Sequence, residues 1–437
     1  MNPRRILTSL AAVSVGALLL GGCSASGGGD SAAGGKVTLD FWSWAPNTQE
    51  LVDTWNAANP DVQVKYTDAG GGRDSSAKLL TASRAGNAPD LSAVEYTTLP
   101  SLIVADVPLD ITEQVADVQD AYTEGTWEQV TFDDHVFALP QDVGPMALVY
   151  RSDLLEQWGI PVPTTWAEFA DAAQKLKDAG APGVLANVPP NGRAFTQALF
   201  AQAGSKPFTY DSAAPTDIGI DVNDQGSKDV LEYWQKLTSK GLVATDEAFT
   251  ADYNTKLVDG TYAIYVAAAW GPGYLQGLEG TDDSATWRAA PIPQWDPAKP
   301  VQVNWGGSTF AVTSQAKDKA AAATVAKEVF GTEEAWKIGI EKAALFPLWK
   351  PILDSDYFRE LESPFFGGQQ INKEVFLPAA AGYSGFTFSP FQNYAYDQLQ
   401  QQVTAVTVDG SKDASAALDD LQSSLEQYAT EQGFTIK

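Results

Sequence analysis

Apolar and polar positions alternate over residues 38–42 and again at Val62, Val64 and Tyr66, a period of two that predicts strands with one buried face. Between them Asn47 and Glu50 stand three apart ahead of Leu51, Val52 and Trp55, which predicts a capped helix ended by Asn59-Pro60. A second helix is expected over 75–85, stopped by Gly86-Asn87-Ala88-Pro89, and a third strand over 91–94. Strands alternating with helices in this order build a mainly parallel sheet with helices on both faces, whose ligands sit beyond the carboxyl ends of the strands. Those ends carry Ser43-Trp44 and Glu95-Tyr96. The Gly70-Gly71-Gly72-Arg73 run lacks the spacing of a phosphate loop and reads as a turn.

The pattern changes between residues 135 and 169. Residues 136–139 are a short apolar run stopped by Pro140, Gly144 and Pro145 interrupt it, and 147–150 resume as a buried strand. Two strands joined by a stiff joint are therefore expected. Thr165 and Glu168 then form a T-x-x-E capping box for a helix with Trp166, Phe169, Ala173 and Leu176 on one face and Gly180 just past its end. Further helices read at 194–203, 227–240 and 318–330, and strands at 263–268 and 309–313. Two amphipathic helices close the chain, one showing Tyr396, Leu399 and Val403, the other Leu418, Leu421 and Leu425.

Residues 144–155 (GPMALVYRSDLL) and 158–169 (WGIPVPTTWAEF) resemble, in order and spacing, the equivalent run of the family 1 extracellular solute-binding proteins of ABC importers, the maltose-binding-protein-like receptors. The likeness extends more loosely from about Lys36 to the C-terminus. It implies an α/β, two-lobed periplasmic-binding-protein-like fold of type II, each lobe a mainly parallel sheet flanked by helices, with three interlobe crossings. On that reading residues 36–140 and 290–338 form lobe 1, and 141–289 and 339–437 form lobe 2. The return crossing is expected at 287–292 and the third at 338–346. The implied function is capture of an oligosaccharide in the interlobe cleft and delivery to the permease subunits, without a cofactor and as a monomer.

At 437 residues the chain exceeds the size at which one core keeps growing, which agrees with two lobes. Arg4 and Arg5 precede an apolar run over 6–20 that ends in Leu20-Gly21-Gly22-Cys23, an export signal resembling a bacterial lipobox. Residues 1–22 are expected to be removed, Cys23 to take a diacylglyceryl anchor, and 23–35 to act as a flexible tether on the outer face of the cell membrane. Cys23 is the only cysteine, so disulfides and multi-cysteine metal clusters are excluded. His135 is the only histidine and reads as a rim residue. Loss of the two arginines takes 28 basic residues to 26 against 55 acidic, a net charge of −29 that repels nucleic acid and anionic headgroups. Residues 221–232 fall near a calcium loop, but Gln225 and Lys228 depart from it, and a polar helix start is the competing reading.

A pyranose has an apolar C–H face and an equator of hydroxyls, so its site needs aromatic plates and planar polar groups. Trp44, Trp270 and Trp305 lie at turns beside expected strand ends, with Trp42 the better packing residue. Tyr96 and Tyr274 are stacking or hydroxyl partners, and Asn304, Glu95 and Asp142 are polar contacts. Asp142 reads equally well as an acceptor for backbone N–H groups of the joint. The resemblance adds contact regions at Asn191 and Arg193 and at Phe391 and Gln392. Gly144, Val94 and Thr97 stand where maltose-type receptors carry acids or aromatics, which argues against maltose itself. Two alternatives remain: the same fold binding a polyol, an amino-acid-like solute or a peptide, and a secreted glycoside hydrolase using Glu95 and Asp142.

Overall fold

Strand β1 (Val37–Ser43), helix α1 (Thr48–Ala58), β2 (Val62–Asp68), α2 (Gly72–Arg84) and β3 (Leu91–Glu95) follow the predicted order. β1 pairs in parallel with both β2 and β3, because each crossover helix returns the chain to the same end of the sheet. Asn47 departs from expectation: it takes φ 55° and its side chain caps nothing in α1, while Thr48 Oγ1 donates to Ala45 O at 2.6 Å. The computed structural model describes residues 36–437 apart from 46, 211–213, 215, 280–285, 330 and 344. The export signal, Cys23 and the tether lie outside the described residues.

The expected break at Pro140 to Pro145 is absent. Residues Leu139–Arg151 form one 13-residue strand, β4, buried over nearly its whole length. Beyond it come α3 (Trp166–Asp178), β5 (Val184–Ala186), α4 (Arg193–Gln202), α5 (Gln225–Ser239), α6 (Ala251–Val258), β6 (Tyr262–Ala268), α7 (Gly271–Glu279), β7 (Trp287–Pro291) and β8 (Asn304–Val312). Helices α8 (Lys319–Glu328), α9 (Glu333–Ala343), α10 (Gln392–Thr407) and α11 (Ala414–Glu431) follow. The capping box of α3 forms as expected, and Gly180 sits at φ 73° behind it.

An eight-stranded sheet runs β2-β1-β3-β8-β4-β6-β5, with β7 also on β4. It is parallel toward both edges and antiparallel in the middle, where β8 lies between β3 and β4. The first half of β4 pairs with β8, the second half with β6 and β7. β7, expected to lead back, pairs only with residues 147–151, and β8 is the strand that links β4 to β3. Pro140 and Pro145 are accommodated because β8 carries the irregularity: its register shifts between Asn304 and Gly307 and between Ser308 and Thr309. Gly144 marks a close approach, since a Cβ there would stand 2.1 Å from Trp305 O.

Among the described residues no group of three or more acidic, histidine or cysteine side chains is placed to hold a metal. In the calcium-like stretch, Asp224 caps α5 through Ser227 N at 2.9 Å, and Asn223 and Lys228 both reach Asp419.

Candidate functional site

The carboxyl end of β3 brings Tyr96 against β8, where its N–H donates to Gly307 O at 3.4 Å. Gly307 has φ 115°, and a Cβ there would meet the Tyr96 ring at 3.1 Å, so only glycine allows the approach. Tyr96, Asn304 and Gly306 then line a cavity of about 30 Å³ together with Gln197 of α4, Tyr396 of α10 and Tyr383, Phe386 and Phe388 of the segment before α10. Three polar atoms on this lining, Tyr96 Oη, Gln197 Nε2 and Asn304 Oδ1, are buried without a protein hydrogen-bond partner. Buried polar groups are nearly always paired, so three orphans around one cavity are an unmet demand. Gln197 is oriented from behind: Gln392 Nε2 donates to its Oε1 at 2.8 Å, and Gln392 Oε1 accepts from Ser389 N at 2.9 Å. With its Oε1 taken, Gln197 keeps only its Nε2 donor without a protein partner.

An aromatic wall adjoins the cavity through Trp305, the neighbour of two lining residues. The Trp270 and Trp305 rings are 4.9 Å apart at 71°, and Trp270 Nε1 donates to Trp305 O at 3.0 Å. Phe249 lies 6.0 Å from Trp270, 5.4 Å from Tyr274 and 6.3 Å from Trp305. Phe195 of α4 backs Trp305 at 5.3 Å. Tyr274 is steadied by its hydroxyl on Asn254 Oδ1.

Charge gathers on the other side of Tyr96. Burial pushes the Glu95 carboxyl pKa up, while the Thr97 hydroxyl at 3.3 Å and the Arg193 charge hold it down. Arg193 pairs with Asp397 at 3.0 Å and lies over the Tyr396 ring at 5.7 Å. Asp142 is buried and accepts the Ser308 N–H at 2.9 Å and the Ser308 hydroxyl, so it clamps β4 to β8. Burial lifts its pKa to about 6 against those two bonds.

The expected residues thus divide. Tyr96 and Asn304 share the cavity, Trp270, Tyr274 and Trp305 share the wall, and Glu95 and Arg193 act on each other electrostatically. Trp44 is half-buried at the end of β1, outside that cavity lining and outside the core packing. Asp142 takes the second of its two expected readings, an acceptor of a backbone N–H, and clamps β4 to β8. One correction follows. Phe391 is buried among Phe208, Tyr428 and Phe434, because it faces the packing layer under α11 rather than the cavity. Asn191 holds the backbone of Ala248 at both polar ends, and His135 is exposed beside Asp110 at 2.7 Å. Sequence reasoning missed Phe249, Gln197 and the aromatic segment 383–388. The spacing of Tyr383, Phe386 and Phe388 among Gly and Ser was a usable signal; Phe249, alone in a polar run, offered none.

Residues 42–336, more than half of the chain, match the bacterial extracellular solute-binding protein family, and the chain belongs to it. Its members are transport binding proteins. The ABC transporter associated binding protein from B. animalis subsp. lactis Bl-04, solved with beta-1,6-galactobiose, is 28% identical, covers 92% of this chain and 100% of its own, and superposes with a TM-score of 0.83. The sheet described above is thus that of a two-lobed α/β binding protein. A lactose-binding protein of Rhizobium radiobacter is 23% identical over 78% of this chain and 81% of its own length. An uncharacterized lipoprotein in the oleD 5′ region of Streptomyces antibioticus is 34% identical, but that alignment spans only 40% of either chain.

Proposed function

We propose that this protein is the substrate-binding component of an ABC importer, capturing an oligosaccharide between its lobes and presenting the closed form to a membrane permease. The observation that carries the reading is the set of three orphan polar atoms, contributed by β3, α4 and β8, around one cavity beside an aromatic wall. A donor amide, an acceptor amide oxygen and a phenol match the equatorial hydroxyls of a sugar, and the wall matches its C–H face. The cavity holds about 30 Å³, far below the ~300–1,000 Å³ of a small-molecule site. A sugar therefore requires the walls to part.

Residues 36–140 and 290–338 make the first lobe and 141–289 and 339–437 the second, so the chain passes between them along β4 and again near β8. Closure is a hinge motion at these two paired strands, and a ligand touching both lobes binds the closed state better. The galactobiose and lactose bound by relatives support a galactosyl or glucosyl disaccharide. An anionic solute is disfavoured, because the cation nearest the site, Arg193, is paired with Asp397. A hydrolase is disfavoured, because Asp142 spends its oxygen on Ser308. The lipoprotein relative supports anchoring through Cys23 at the extracellular face of the cell membrane.

Thermal-shift and calorimetric titration with galactobiose, lactose, maltose, a polyol and a dipeptide test the cargo. A disaccharide raises the melting temperature and is recovered uncleaved; a shift only with the polyol or dipeptide, or cleavage products, overturns the reading. Cys23→Ala releases the protein from the membrane fraction, and retention there overturns the anchor.

A further inference from the structure

Phe249 combines three features that no packing role requires together. It is a bulky residue at φ 68°, the left-handed region that glycine and asparagine occupy readily and a phenylalanine does not. It is 51% exposed. Its ring nevertheless faces Trp270, Tyr274 and Trp305. Of the other described non-glycine residues at positive φ, all are Asn or Asp, which tolerate that conformation.

A local explanation exists for part of this. Thr250 caps α6 through Tyr253 N at 3.2 Å, and Phe249, in the N′ position, has its ring centre 6.2 Å from that of Tyr253 at N3, one position short of the N4 partner of a hydrophobic staple. A staple buries its ring and uses ordinary backbone. Here half the ring is left in water and the backbone is strained, and strain of this kind persists where surrounding structure over-determines it, most often at ligand sites. The Asn191 side chain supplies that surrounding structure, since its Oδ1 and Nδ2 bind the N–H and carbonyl of Ala248 at 2.9 and 3.2 Å. Thr250 fixes the chain on the other side. Phe249 is thus pinned between two side-chain clamps with its ring turned toward the indoles.

We propose that Phe249 is a specificity-determining stacking residue for a second sugar ring, in a subsite outside the cavity lined by Tyr96, Gln197 and Asn304. The inference rests on the carbohydrate reading above and deepens it. The first ring uses Tyr96, Gln197 and Asn304; the second lies with its C–H face against Phe249 and the Trp270 indole. The ligand is then at least a disaccharide, and the linkage between its rings must turn the second ring past Trp305 onto that wall. A monosaccharide reaches only the cavity.

Calorimetric titration of the wild type, Phe249→Ala, Phe249→Gly and Tyr96→Phe with a bound disaccharide and with its component monosaccharide tests this. Phe249→Ala weakens the disaccharide by about tenfold, the effect of one aromatic contact, and the monosaccharide by less than about twofold on the same scale. Tyr96→Phe weakens both. In thermal melts Phe249→Gly is more stable than Phe249→Ala, the reverse of the usual order, because glycine relieves the left-handed backbone. Equal effects of Phe249→Ala on both sugars, no effect on either, or Phe249→Gly melting below Phe249→Ala overturns the proposal while leaving the carbohydrate reading intact. A wild type that binds no saccharide overturns both.

Discussion

Two aromatic clusters in this protein contain similar rings and do opposite things. In one, Trp166, Phe169, Tyr233, Trp234 and Trp295 pack edge to face at 4.9–6.2 Å under α3 and α5. Trp166 is 1% exposed, its Nε1 donates to Gln202 at 2.7 Å, and Tyr233 Oη donates to Trp166 O. In the other, Phe249, Trp270, Tyr274 and Trp305 make pairs of the same spacing but leave Phe249 half in solvent on a left-handed backbone. Ring count and ring spacing therefore do not separate a core from a binding wall. What separates them is the exposure of one ring: Trp166 and Trp234 are 1% and 2% exposed, whereas Phe249 is 51% exposed.

Removing a ring from each cluster breaks the comparison most sharply. Trp166→Ala leaves a cavity in a sealed layer and lowers unfolding free energy by about 3–5 kcal/mol, read as a lower denaturant midpoint. Trp270→Ala gives the converse: saccharide affinity falls by about 0.5–1.5 kcal/mol for one aromatic contact, while the midpoint shifts far less than in Trp166→Ala. Unchanged affinity in this variant would place the wall outside the site.

Charge sharpens the contrast. Asp142, beneath the open region, has its pKa raised to about 6 by burial, above the ~3.9 of an unfolded aspartate. The folded chain binds that proton more tightly than the unfolded one, so this group makes stability fall as pH rises from about 4 to about 6 and remain level above. The drop is about 2–3 kcal/mol. Urea midpoints from pH 4 to 7 measure it, and Asp142→Asn, which keeps an acceptor for Ser308, flattens that slope. The smallest effect is the most diagnostic. Tyr96→Phe removes an orphan hydroxyl and raises stability by about 1 kcal/mol, yet weakens saccharide binding, so melting and titration move in opposite directions.

Much of the first half of the fold was legible because its signals are local. The alternation of 62–66, the Thr165/Glu168 box and Gly180 at the end of α3 each act within a turn or two of chain. Pro140, Gly144 and Pro145 misled because a proline or glycine reports a local preference and says nothing of the neighbour it meets. β4 stays continuous since β8 absorbs the misfit through shifted register and two left-handed glycines, Gly306 and Gly307. Tyr96, Trp270, Asn304 and Trp305 were recognisable from their position at strand ends. Gln197 looked like any polar residue of a helix, and only Gln392, 195 positions away, takes its Oε1 and leaves Nε2 as the donor without a protein partner.

Residue order alone determined the alternation of strands and helices, the aromatic supply, the lack of cysteine and histidine clusters, and the excess of acid, because each depends on near neighbours or on totals. Tertiary structure decided which tryptophans are sealed and which open, that Asp142 clamps two strands, and that three polar atoms face one cavity without partners. Those properties belong to pairs of residues far apart in sequence, and covering a ring or satisfying a hydroxyl is a matter of what the fold puts next to it.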